Sequence, residues 1–259
     1  GHQLEVDVRV DEAGHHGAVA HIAHRDPRGP GLLSEPTWAD RLDTTVGPFS
    51  IEVLEGLKSL RLKCAENEWG VAFDVRFDGT VPALEEPKTF QRNRARVTSD
   101  VSRYAQVGSY TGRVTVAGQT YEVTPDKWKG ARDRSWGIRP VGEREAPGIA
   151  IEDLMSGQHG FCHHWIPLQL DRGMYKIMYD ADYSGRMIVE EAAFAPAYGR
   201  PGETLHYGTP KIEPTFLSGT RELASCKTTI VDASGKPLVI TSTPLRTVYL
   251  AAGTGYIPS

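Results

Sequence analysis

Apolar and polar residues alternate in short runs along most of the chain, and an alternation of period two marks a strand with one face on a core. Near the start Leu4, Val6, Val8 and Val10 interleave with Glu5, Asp7 and Arg9. Phe49-Ser50-Ile51-Glu52-Val53 and Leu60-Arg61-Leu62-Lys63-Cys64 repeat the pattern, and beyond Glu66-Asn67-Glu68 it resumes in Trp69, Val71, Phe73, Val75 and Phe77. These runs predict an antiparallel meander. Only Ala117-Gly118 separates Arg113-Val114-Thr115-Val116 from Gln119-Thr120-Tyr121-Glu122-Val123, the loop length of a tight hairpin. Further along, Met174 to Tyr179 and Met187 to Phe194 flank a turn over Asp182 to Gly185. Lys227 to Val231 and Leu238 to Thr243 flank a second turn at Asp232-Ala233-Ser234-Gly235. Helix signals are confined to Ser34 to Leu42, with its capping serine and early proline.

The pattern therefore predicts an all-β protein. Two runs of strands flank a stretch from Pro125 to Gly148 that is rich in Trp, Arg and Asp. Two antiparallel β-barrels or sandwiches meeting at a seam follow, with domains over residues 1–139 and 140–259. One continuous barrel is the alternative. At 259 residues the chain can bury a sizeable core, since domains run to ~100–200 residues. The 27 Gly and 17 Pro are scattered as single residues, which fits many short strands joined by turns.

Charge and cysteine usage narrow the function classes. The net charge of −4 gives no basic surplus for a nucleic-acid partner. No run approaches the ~18 apolar residues of a membrane-spanning helix. Cys64, Cys162 and Cys226 are far apart, form no Cys-x-x-Cys, and leave one over if two pair, so a reducing, cytoplasmic setting is expected.

The densest candidate chemistry lies in Trp128-Lys129-Gly130-Ala131-Arg132-Asp133-Arg134-Ser135-Trp136-Gly137-Ile138-Arg139-Pro140. In an extended strand Arg132, Arg134 and Trp136 share one face, and Asp133, Ser135 and Gly137 the other. An inward Asp133 between apolar walls holds a proton at neutral pH and serves as a general acid, with Ser135 adding a hydrogen bond. The competing reading is a buried Arg-Asp latch between barrels, with Trp136 as a plug. In His159-Gly160-Phe161-Cys162-His163-His164-Trp165, alternation puts His159, His163 and Trp165 together. Two same-face histidines fall short of the three or four ligands of a zinc site, so the expectation is no metal and no cofactor, with a general base or a core histidine in its place. Glu85-Glu86 and Glu190-Glu191 read as surface charges or strand ends, because neighbours on a strand point to opposite faces. Tyr104, Tyr110, Trp69, Phe73 and Trp128 are candidate walls of an apolar cavity.

The run Arg132-Asp133-Arg134-Ser135-Trp136-Gly137-Ile138-Arg139 resembles the Arg-Asp-x-Ser-Trp-Gly-x-Arg signature of the hydroxyneurosporene synthase (carotenoid hydratase)-like superfamily. Gly112 to Val123, Gly219-Thr220-Arg221 and Gly253-Thr254-Gly255-Tyr256 are similar to a bacterial branch of it. The resemblance implies two lipocalin-like β-barrels in tandem and greasy substrates, as for carotenoid hydratases and pericyclic or terpene-type cyclases. It also implies that Arg132, Asp133, Ser135, Trp136, Gly137 and Arg139 form the domain seam and pocket floor. Arg134 stands where that family often has His, and the start at Gly1 is short of the family's first strands.

The expected function is a cofactor-independent enzyme of hydratase (lyase), isomerase or cyclase type acting on a hydrophobic polyene, terpenoid, steroid-like or polyketide-like molecule. Asp133, Arg132, Ser135 and His163 are its expected catalytic set. Trp136, Trp128, Arg139, Tyr110, His159 and Trp165 are the expected ligand-binding set. The alternative is a non-catalytic carrier of the same ligand class, and a homodimer is compatible with either.

Overall fold

The computed structural model describes residues 3–10, 16–23, 44–45, 47–93, 96–138, 161–182, 184–245 and 247, the first two stretches by their backbone. Every regular element among them is a strand. In chain order these are β1 (Gln3–Val10), β2 (His16–Ala23), β3 (Phe49–Glu55), β4 (Ser59–Cys64), β5 (Val71–Gly79), β6 (Leu84–Glu85), β7 (Thr89–Asn93), β8 (Arg96–Val116) and β9 (Gln119–Val123). They continue as β10 (Lys129–Ile138), β11 (Phe161–Leu170), β12 (Gly173–Asp182), β13 (Met187–Pro196), β14 (Leu205–His206), β15 (Lys211–Phe216), β16 (Leu223–Val231) and β17 (Pro237–Ser242). All the registers between them are antiparallel, and no closed barrel occurs among the described residues. The helix expected over Ser34 to Leu42 lies outside those residues. No helix among them is long and apolar enough to cross a membrane.

Contacts group the chain into two units, each assembled from two stretches. The first comprises Gly1–Thr80 and Gly108–Gly130, and the second Val81–Val107 and Ala131–Ser259, so β8 contributes to both. The single break expected after residue 139 concerns separately folding domains, a different division of the chain.

In the first unit the expected meander forms as β3, β4 and β5, and β5 pairs on with the later part of β8. Trp69 is not part of it: the residue sits in the turn before β5 and is 60 % exposed. The hairpin of β8 and β9 closes on Ala117-Gly118, with Val116 opposite Gln119. Both turn residues have positive φ, 48° and 80°, as a two-residue type I′ turn demands. Val75, Val114, Val123 and Trp128 make the core, flanked by Leu62, Phe73, Tyr110, Val116 and Tyr121.

In the second unit β12 and β13 are the inner strands of β11-β12-β13-β14, and the two later expected hairpins appear as β12–β13 and β16–β17. Alternation splits β12 into two faces. Tyr175 and Ile177 pack with Ala192 and Ile230, flanked by Ile166, Leu168, Phe194, Ile212 and Ile240. Met174, on the opposite face, packs with Val81 and Val107 beside Leu84. A strand apolar on both faces offers a charge only dry surroundings, yet Lys176 sits in its middle.

Candidate functional site

Lys176 is fully buried on the Met174 face of β12. The register places Pro167 and Ala193 directly beside it, and Trp165 and Glu191 beside Met178 on the same face. Glu86, just past β6, completes the set. Its backbone N–H donates to the Arg103 carbonyl at 2.8 Å, which fixes where its buried side chain enters. The Glu86 carboxylate takes the Trp165 Nε1–H on Oε1 at 2.7 Å and lies 3.0 Å from the Lys176 ammonium. Its Oε2 accepts from Arg103 Nη1 at 3.3 Å. Glu191 Oε2 is 3.8 Å from the same ammonium, and the ammonium lies 5.5 Å from the Trp165 ring centroid.

Glu86 and Glu191 therefore share Lys176, and the two carboxylates differ in what holds them. Glu86 has two hydrogen-bond donors and two cations. Glu191 Oε2 is out of water and without a hydrogen bond. Burial pushes the Glu191 carboxyl up to about 7, the Lys176 charge pulling it back and the Glu86 charge adding to the rise. Burial also lowers Lys176 from the usual lysine range, against the pull of Glu86.

Glu86 and Glu191 line an open cleft of about 420 Å3 together with Glu85, Pro87, Glu190, Ala192, His206 and Tyr207. Burial, with a hydrogen bond to Tyr175, pushes the Tyr207 hydroxyl up to about 12. The arrangement sets a carboxyl that titrates near neutrality at the wall of a cleft, with a fixed ion pair behind it. Such a group can give or take a proton at working pH.

The residues singled out from sequence are placed as follows. Trp165 enters the cluster through its indole N–H. Asp133 does not face inward: its side chain is 51 % exposed and 4.0 Å from Arg103 Nε. The apolar surroundings expected around Asp133 are not there, and the buried acid is Glu191. Arg132 donates through Nε to Gln106 Oε1 at 2.9 Å and lies over the Tyr104 ring. Ser135 is half-buried on the same strand, and Trp136 is exposed. His163 pairs with Asp180 across β11 and β12 at 2.5 Å, on the same face as Trp165 but at its exposed end. Trp128 and Tyr110 belong to the core of the first unit. Arg139 and His159 lie outside the described residues.

Glu86, Lys176 and Glu191 were not legible as a set. The reading of Glu85-Glu86 and Glu190-Glu191 as surface charges or strand ends holds in part: Glu85 and Glu190 are exposed and Glu86 follows the end of β6, but Glu86 and Glu191 are both buried and Glu191 lies inside β13. The available signal was Lys176 itself, a lone cation between Met174, Tyr175, Ile177 and Met178. A buried lysine requires a buried anion.

With this geometry established, comparison with known proteins adds a family. Residues 33–258 match the model of a family of unknown function, DUF8625, and the chain belongs to that family. No curated protein and no solved structure matches the chain.

Proposed function

We propose that the protein is a cofactor-independent enzyme that moves a proton on a hydrophobic small molecule, by hydration, isomerisation or cyclisation, in the cleft of the second unit. The observation that carries this is Glu191, a buried carboxyl at the cleft wall that shares one ammonium with Glu86 and has an unbonded oxygen. Protonated Glu191 gives its proton to an alkene or carbonyl group of the substrate, and its carboxylate takes a proton back in the next step, so the cycle needs no external redox partner. Lys176 and Glu86 are positioning residues. Pro87, Ala192 and Tyr207 offer the apolar part of the wall. This reading moves the acid from Asp133 to Glu191 and keeps the expected substrate class. Tandem lipocalin-like barrels with a break near residue 139, and a cytoplasmic setting, are the finer proposals that accompany it.

Proton transfer to carbon leaves an isotopic record. Incubating the purified chain with an apolar metabolite extract in deuterated water is expected to label one component. Glu191→Gln, which keeps shape and removes the proton, lowers that labelling by ~10²–10⁴-fold. Equal labelling by parent and variant contradicts the role of Glu191. An unlabelled extract with an apolar molecule co-purifying on the chain favours a carrier instead.

A further inference from the structure

The other face of β10 takes no part in the cleft. Alternation puts Arg132, Arg134 and Trp136 on it, opposite Asp133. Trp136 is 53 % exposed, an unusual position for so large an apolar ring. Its ring lies tilted against Tyr104, with centroids 6.4 Å apart. Tyr104 is in turn faced by the Arg132 guanidinium, 5.5 Å from its ring centroid. Arg132 is tied to Gln106 at 2.9 Å, and the fully buried Gln106 donates to the Val81 carbonyl at 2.7 Å. Beside Trp136, Gly137 has φ +125°, and a Cβ there would collide with the Asp100 carbonyl oxygen. Backbone therefore meets backbone at this point, which fixes where the indole emerges. Tyr104, Trp136 and the exposed Arg134 line an open hollow of about 300 Å3.

From this we infer a second ligand site, a ledge that binds a planar aromatic ring carrying a carboxylate. The ring stacks on Trp136, and the Arg134 guanidinium takes the carboxylate through its two-pronged fork. Arg132 holds Tyr104 in place and adds positive charge to the same face. An aromatic ring held in advance loses little freedom on binding, so the ledge is suited to a ligand too small to bury much area. The inference rests on β10 and is independent of the acid in the cleft.

The test uses the full chain with 2-naphthoate and its uncharged counterpart 2-naphthamide, followed by calorimetry. Naphthoate is expected to bind about tenfold tighter than the amide. Trp136→Ala weakens both ligands, Arg134→Gln abolishes the preference for the carboxylate, and Glu191→Gln leaves both affinities unchanged. Both β10 side chains are exposed, and unchanged melting temperatures establish that the variants are folded. Absence of saturable binding, equal affinity for acid and amide, or naphthoate binding that survives Trp136→Ala overturns the inference.

Discussion

A fully buried ammonium is tolerated at Lys176 because a carboxylate lies 3.0 Å away and a second lies at 3.8 Å. Removing one member of such a set costs more than the set itself contributes, since the charges left behind stay out of water. Lys176→Met fills a similar volume and leaves the buried Glu191 without its cation, while Glu86 keeps Arg103 alone. It is expected to cost ~3–5 kcal/mol in urea unfolding. Combining it with Glu86→Gln and Glu191→Gln removes the uncompensated charge and recovers part of the loss. A single variant as stable as the parent contradicts the ion-pair account. Asp133 teaches the opposite lesson: an acid in a conspicuous motif is 51 % exposed and keeps its access to water.

The elements are governed by turn chemistry and period-two patterning, both local properties. The β8–β9 hairpin was legible because two residues separate its strands, and both must take positive φ. Gly118 does so freely, while Ala117 at φ 48° pays for its Cβ. Ala117→Asn, which tolerates that conformation, is expected to raise stability by ~0.5–1 kcal/mol in thermal unfolding. No change or a lower melting temperature contradicts the turn assignment. The later hairpins were legible for the same reason, their turns held by Asp182 and Asp232, each accepting from a serine two residues on. The cluster was not legible, because Glu86, Lys176 and Glu191 come from three separate parts of the chain. Alternation states which residues share a face of one strand. It does not state which other strand covers that face, and that pairing made Glu86 and Glu191 neighbours. The face shared by Arg132, Arg134 and Trp136 was predicted correctly, while the exposure of Trp136 depended on tertiary packing.

For the whole molecule, a net charge of −4 conceals an uneven distribution, with four glutamates lining one cleft of the second unit. The family match covers residues 33–258 and so includes every residue of the cluster and the ledge. The cleft acid also couples to folding. Because burial raises Glu191 from 4.5 to about 7, the folded chain keeps a proton that the unfolded chain has lost between those values. The stability it contributes is therefore full below the unfolded value and is lost as pH rises through the folded one. Glu191 is expected to exchange its proton near neutral pH, and carbon-detected NMR titration of glutamate-labelled protein reads this directly. One carboxyl titrating near 7 in the parent and missing from Glu191→Gln is the predicted result, whereas a parent whose glutamates all titrate in the ordinary range near 4–5 contradicts the account.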